Sequence, residues 1–160
     1  MKKINFLIKL KLDGKLQLVE PSEEIKQSYL GKSESNLISA KILLNNNRLE
    51  ESVGLAYYSM YHLLTALLFK IGIKSENHSA SIILLKELFN MNNKEISEAK
   101  SERIDKQYYI DFKISREEVQ NTIRIAELFN SAIFDFISKI NNEQIKHYRE
   151  KFKELIEWKK

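Results

Sequence analysis

The stretch Leu49-Glu50-Glu51-Ser52-Val53-Gly54-Leu55-Ala56-Tyr57-Tyr58-Ser59-Met60-Tyr61-His62-Leu63-Leu64-Thr65-Ala66-Leu67-Leu68-Phe69-Lys70-Ile71-Gly72 contains no proline. Within it Leu49, Val53, Ala56, Met60, Leu63, Leu67 and Ile71 recur at steps of three or four, the period of a helix with one face turned inward. Tyr57, Tyr61, Leu64, Leu68 and Phe69 widen that apolar surface well beyond a single stripe. A helix so broadly apolar belongs at the centre of its fold, with surface to spare for a second subunit. Gly72 is suited to end it, because a residue without a Cβ enters the left-handed region at little cost.

Helical signals continue on both sides. Upstream, Pro21-Ser22-Glu23-Glu24 predicts a helix start with Ser22 as N-cap and acidic residues beside the positive end of the helix dipole. Ile25, Tyr29, Leu37, Ala40 and Leu44 follow at near-helical spacing up to the polar stop Asn45-Asn46-Asn47. Downstream, residues 74–79 are expected to be a polar connection. After it Ile82, Ile83, Leu85, Leu88 and Phe89 predict a shorter helix, and Asn92-Asn93 opens another that runs through Ile96 and Ala99 to Arg103. Ser115-Arg116-Glu117-Glu118 fits a capping box. Behind it Val119, Ile123, Ala126, Phe129, Ile133, Phe136 and Ile140 line a long helix that ends at Asn141-Asn142. A last basic helix over 143–160 carries Phe152, Leu155, Ile156 and Trp158. The beginning is ambiguous: alternation in Ile8 to Leu12 and Lys15 to Val19 around Asp13-Gly14 fits a hairpin, while Phe6, Leu7 and Leu10 fit a short helix stopped at Gly14.

The predicted organisation is one all-α domain in three stretches: an appendage over 1–21 that docks on the rest, a helical bundle over 22–140, and the basic helix over 141–160. With 160 residues, 43% of them hydrophobic, the chain can bury a proper core. Four glycines and a single proline leave little material for a turn-rich β fold. There is no cysteine, so disulfides and thiolate chemistry are excluded. No uninterrupted apolar run approaches the ~20 residues of a membrane span, and the expected location is the cytoplasm, away from any membrane.

The net charge of +4 is unevenly spread. Residues 1–16 hold five lysines and one aspartate, and residues 146–160 hold six Lys or Arg and three glutamates, which leaves 15 positive and 18 negative groups between them. The body is therefore mildly acidic, and the basic termini read as solvated, frayed ends rather than a broad nucleic-acid surface.

Few residues offer chemistry. His62, His78 and His147 lie far apart with no metal-ligand spacing, and no glycine-rich phosphate loop is present, so neither a metal nor an organic cofactor is expected. Tyr58 and His62 share a helix face, as do Tyr57 and Tyr61; such rings either stack on a nucleotide base or pack the bundle with their polar tips satisfied. His78, near a helix start, either caps it or faces a ligand. Arg103, in Arg103-Ile104-Asp105-Lys106-Gln107-Tyr108-Tyr109, either grips a phosphate with two parallel hydrogen bonds or pairs with Asp105 or a glutamate.

The run Tyr57-Tyr58-Ser59-Met60-Tyr61-His62, the 72–79 connection, the Arg103 to Tyr109 run and the Ser115-led helix together resemble the HEPN family over roughly 22–140. That family consists of small helical domains of bacteria and archaea, many of them acting in RNA cleavage or toxin–antitoxin systems. The resemblance implies an antiparallel four- to five-helix bundle that forms a homodimer with a cleft between protomers. In some members it also implies a minimal nucleotidyltransferase partner encoded alongside as antitoxin. Active members cut RNA without metal through an arginine and a histidine four to six residues later. Arg103 matches the arginine, but Tyr108 stands where the histidine would be, and its unperturbed pKa near ~10 makes it a poor base. The reading that follows is a dimeric nucleotide- or partner-binding module without efficient catalysis, its ligand residues drawn from Arg103, Tyr108, Tyr109, His78, Tyr58 and His62. The alternative is a metal-independent ribonuclease toxin using Arg103 with a histidine from elsewhere, such as His78.

Overall fold

The computed structural model describes residues 1–108 and 113–157, the side chains of 105–108 excepted. Seven helices and one two-stranded ribbon make up the described residues: α1 Lys2–Leu12, β1 Leu16–Leu18, α2 Glu23–Asn45, α3 Leu49–Ile71, β2 Ile73–Ser75, α4 His78–Glu87, α5 Lys94–Tyr108, α6 Arg116–Lys139 and α7 Asn142–Ile156. The α-helical bundle is as the sequence predicts. The capping signals act where they stand: Ser22 Oγ accepts from Ile25 N–H, and Ser115 and Glu118 close a reciprocal capping box at the head of α6. Asn141 and Gln144 close a second box that starts α7.

Helix α3 is the axis. Val53, Ala56, Tyr57, Met60, Leu64, Leu67 and Ile71 are all fully buried, because α2, α5 and α6 pack along it and α4 and α7 lie against it as well. Its unusual breadth of apolar surface is thereby consumed within one chain, and the breadth needs no second subunit to explain it. By length and composition α3 would also suffice to cross a bilayer, but 78% of its most apolar stretch is buried inside the fold. Gly72 ends α3 in the left-handed region at φ 81°. The remaining large apolar side chains in contact with solvent include Ile38 and Ile42 on α2 and Leu128 and Phe134 on α6.

The ambiguous beginning is half helix and half strand. α1 is closed by Asp13, and Gly14 turns the chain at φ 70°. The following alternation does form a strand, although its partner is distant in sequence: Leu16 faces Ser75, Gln17 faces Lys74 and Leu18 faces Ile73 in antiparallel register. Part of the expected 74–79 connection is therefore strand β2, and α4 begins at His78 with Asn77 as its cap.

The C-terminal stretch is helical over residues 142–156, as the sequence predicts, but it is not a solvated, frayed end: it buries Phe152 and Ile156 in the same core as Leu7, Leu10 and Leu16. Burial of such a side chain contributes about 1.5–3 kcal/mol. The basic residues serve the backbone: Arg149 Nη1 donates to the carbonyls of Val19, Ile71 and Gly72 at 2.7, 2.9 and 3.1 Å, and Lys151 Nζ donates to Leu88 O at 2.7 Å. A helix leaves its last carbonyls without intrahelical donors, and here a cation from another helix meets those of α3. Trp158 lies outside the described residues.

Candidate functional site

Positions 57, 58, 61 and 62 form two neighbouring rows on α3, so four polar-tipped rings emerge from two successive turns. Tyr57 is fully buried, whereas Tyr58, Tyr61 and His62 are half-buried. Against them comes the first residue of α4. Asn77 Oδ1 accepts from Ala80 N–H at 3.0 Å and fixes the helix start, which sets the His78 ring parallel to Tyr61 at 3.7 Å between centroids. His78 Nδ1 is 2.7 Å from Tyr57 Oη. This histidine does not cap the helix; Asn77 does, and His78 instead closes a wall of rings.

Helix α5 brings the cations. Arg103 Nη1 donates to Tyr58 Oη at 3.1 Å, and its guanidinium carbon lies 5.3 Å from the Tyr57 ring centroid and 5.2 Å from that of Tyr58. Both distances are within cation–π range. One turn earlier, Lys100 Nζ donates to Ser79 Oγ at 2.6 Å, beside His78. Glu102 accepts from Thr122 Oγ1 at 3.1 Å, tying this part of α5 to α6. From the other side α2 supplies Asn36, whose Oδ1 is 2.7 Å from His62 Nδ1, and Tyr29, whose ring is 5.7 Å from that of His62.

The electrostatics follow from crowding rings and cations into a half-buried space. Burial, with help from Arg103, Lys100 and His62, pushes the His78 imidazole down to about 4. Burial and then Lys32 lower His62. Burial raises both Tyr57 and Tyr61, so their phenols keep their protons. Near neutral pH both imidazoles are thus uncharged, and the positive charge of the cluster resides on Arg103 and Lys100. Such a surface attracts an anion and offers it hydrogen bonds. As a general base it is poorly matched to neutral pH, since the efficient catalytic pKa lies near the working pH.

Of the residues singled out in the sequence, Arg103, Tyr58, His78 and His62 fall into this one cluster. Tyr109 and the side chain of Tyr108 lie outside the described residues, as does that of Asp105. Sequence reasoning passed over Lys100, Ser79, Asn36 and Tyr29. The three-residue step from Lys100 to Arg103 on one helix face was a usable signal for the first; Asn36 and Tyr29 carried none, because their place depends on how α2 crosses α3. No group of three His, Asp or Glu side chains that would hold a metal ion occurs among the described residues.

Comparison with known proteins agrees with this architecture. The HEPN domain family matches residues 27–140. A protein of Methanocaldococcus jannaschii named as a "putative toxin" is 32% identical over 125 residues, covering 74% of this chain and 92% of its own. A UPF0332 protein of Thermotoga maritima is 27% identical over 125 residues, covering 74% of this chain and 95% of its own. A UPF0332 protein of Pyrococcus horikoshii is 42% identical over 60 residues, 38% of this chain and 42% of its own.

Proposed function

The chain belongs to the HEPN domain family, and from that premise we propose that it is a toxin-type module that binds the phosphate of a nucleotide or RNA at Arg103 without efficient catalysis. The observation that carries this reading is the seat of the Arg103 guanidinium, hydrogen-bonded to Tyr58 Oη and braced on two tyrosine faces. That seat fixes a planar donor fork in a defined orientation, with Lys100 one turn away, and a fixed fork is what recognition of a phosphate requires. Tyr108 and Tyr109 follow Arg103 in sequence and belong to the proposal as ligand neighbours. His78 and Tyr58 complete the wall.

The test is thermal unfolding of the purified chain with inorganic phosphate, nucleoside monophosphates and short RNA. The wild type is expected to melt higher with ligand, as any ligand that prefers the folded state stabilises it, and Arg103→Ala is expected to lose that rise. No rise in the wild type with any of these ligands would refute the reading.

The ribonuclease reading retains one supporting observation: His78 arrives from α4 at the same ring wall as Arg103, close enough to feel its charge. RNA cleavage in EDTA that disappears in both Arg103→Ala and His78→Gln would favour it. Cleavage that survives both substitutions would rule it out.

The proposed module is a homodimer that associates with a minimal nucleotidyltransferase. The exposed Ile38, Ile42, Leu128 and Phe134 on α2 and α6 support a covered face there, rather than on the interior helix α3. A monomer mass at micromolar concentration would refute the dimer, and failure to co-purify with a nucleotidyltransferase encoded beside it would refute the partner.

A further inference from the structure

Beyond Arg103 the ring wall continues onto α2 with a regular composition. Arg103 lies over Tyr58 at 5.2 Å, Tyr58 is 5.7 Å from His62, His62 is 5.7 Å from Tyr29, and Lys32 Nζ lies over Tyr29 at 4.8 Å. The order is cation, tyrosine, imidazole, tyrosine, cation. Tyr58, His62, Tyr29 and Asn36 are all half-buried, and Lys32 is exposed. Interhelical packing requires rings of this size but not a cation at each end, nor a polar pair at the middle.

The middle is chemically defined. His62 Nδ1 is engaged by Asn36, while His62 Nε2 and Asn36 Nδ2 make no hydrogen bond to described residues and are not among the buried polar atoms. With Asn36 Oδ1 accepting from Nδ1–H, the neutral imidazole presents Nε2 as an acceptor and Asn36 presents its amide N–H groups as donors. With the amide turned over, Nε2–H becomes the donor and Oδ1 the acceptor. Either orientation leaves one donor beside one acceptor, and the edge of a nucleobase carries the complementary pair. The neutral state of His62 suits this use, because a charged imidazole would offer donors only.

From this juxtaposition we infer that Tyr29, Lys32, Asn36 and His62 form a base-reading subsite that extends the Arg103 phosphate site into a track for a short single-stranded oligonucleotide. A base meets the His62–Asn36 pair with its edge, between the two cations that lie over Tyr58 and Tyr29. One phosphate falls to Arg103 and another to Lys32. Aromatic rings interleaved with cations are the surface on which single strands bind, the rings taking bases and the cations the backbone. The inference rests on the reading of Arg103 as a phosphate contact.

The test compares nucleoside monophosphates with tetranucleotides of each base, as RNA and as DNA, by fluorescence anisotropy or calorimetry on the full chain. The wild type is expected to bind at least one tetranucleotide more than about tenfold tighter than its mononucleotide, with an order of preference among bases. In His62→Phe, which keeps a ring and removes the polar pair, that ratio and the base preference collapse together. In Lys32→Ala the ratio falls, and the slope of log affinity against log salt decreases by about one. Far-UV circular dichroism of each variant confirms that α2 and α3 remain packed; should His62→Phe unfold, Lys32→Ala, an exposed change, decides alone. Equal ratios in wild type and both folded variants would overturn the subsite while leaving Arg103 untouched. No binding of any phosphate ligand by the wild type would overturn the Arg103 reading and the subsite with it. Preference for RNA over DNA of the same sequence would assign the 2′-hydroxyl a contact; equal affinity would make the track one for single strands of either sugar.

Discussion

Arg103 and Arg149 bring the same guanidinium to the same central helix and meet opposite surroundings. Arg149 comes from α7, outside the stretch matched by the HEPN family, and its Nη1 ends on three backbone carbonyls at the C-terminal end of α3. Arg103 comes from α5, inside that stretch, and rests on two ring faces and a phenol hydroxyl. Ile71 O closes α3, where the last carbonyls lack intrahelical donors and carry the negative end of the helix dipole. Gly72 O beside it also accepts from Val19 N–H, and a fixed cation among these oxygens stabilises the fold. Rings and a phenol have no such need, and a cation placed among them is oriented rather than required. On the function proposed above, the difference is that between an arginine that holds the fold and one that meets a ligand.

The largest effect is expected where the Arg149 clamp closes on Gly72. A Cβ at that position would run into Arg149 Nη1 and Val19 O and come within 2.9 Å of Pro21 N, on a backbone already at φ 81°. Gly72→Ala should therefore cost about 3–5 kcal/mol, combining left-handed strain with loss of the clamp. Urea unfolding measures it. A loss below about 1 kcal/mol would show that the junction of α3, β1 and α7 is loosely held, and the contrast between the two arginines would lose one side.

Next comes Arg149→Ala, expected to cost about 2–3 kcal/mol as part-buried carbonyls lose a charged donor. Arg149→Lys should recover only part of it, because an ammonium on a shorter flexible stem is not held at the place Nη1 occupies among three oxygens. Full rescue by lysine would mean that charge alone matters there. Arg103→Ala, by the same measurement, should cost less than Arg149→Ala, about 1–2 kcal/mol, the scale of two cation–π contacts and a hydrogen bond.

The two regions were also unequally legible in the sequence. The bundle could be read because its long helices announce themselves locally: Ser22, Gly72 and the Ser115–Glu118 box are capping chemistry within a few residues, and the α3 periodicity is long. Arg103, His78, Tyr58 and His62 could be nominated by type and spacing, and they do meet. The clamp could not be foreseen. Val19, Gly72 and Arg149 are separated by most of the chain, and nothing near Arg149 distinguishes an inserted guanidinium from a solvated one. The pairing of Leu16–Leu18 with Ile73–Ser75 was hidden for the same reason: short strands are specified by a partner, and the partner lay behind two long helices. Asn36 illustrates the limit within the site itself, since its role is set by the crossing of α2 over α3.

A further effect separates the regions by pH. In the folded chain His78 titrates at about 4, against an ordinary value of 6.5, because burial and the facing Arg103 and Lys100 disfavour the imidazolium. Between those values the unfolded chain binds more protons than the folded one, so the free energy of unfolding falls as pH is lowered from 6.5 towards 4 and is fully present above 6.5. For a ring only half-buried, solvent screening reduces the expected contribution to about 1–2 kcal/mol, and His62, lowered for the same cause, adds in the same direction. Carboxylates such as Glu23, held low by Lys26 and Lys70, also begin to titrate at the acid end, so the informative quantity is a difference between proteins. His78→Gln should flatten the stability profile between pH 6.5 and 4.5 relative to wild type. Arg149→Ala should lower the profile by a nearly constant amount, because neither the guanidinium nor the carbonyls it holds titrate there. A wild-type profile parallel to that of His78→Gln would mean that His78 is as free to take a proton in the fold as in the unfolded chain. The imidazole would then be available as a base near neutral pH, and the case against catalysis at the Arg103 wall would lose its electrostatic support.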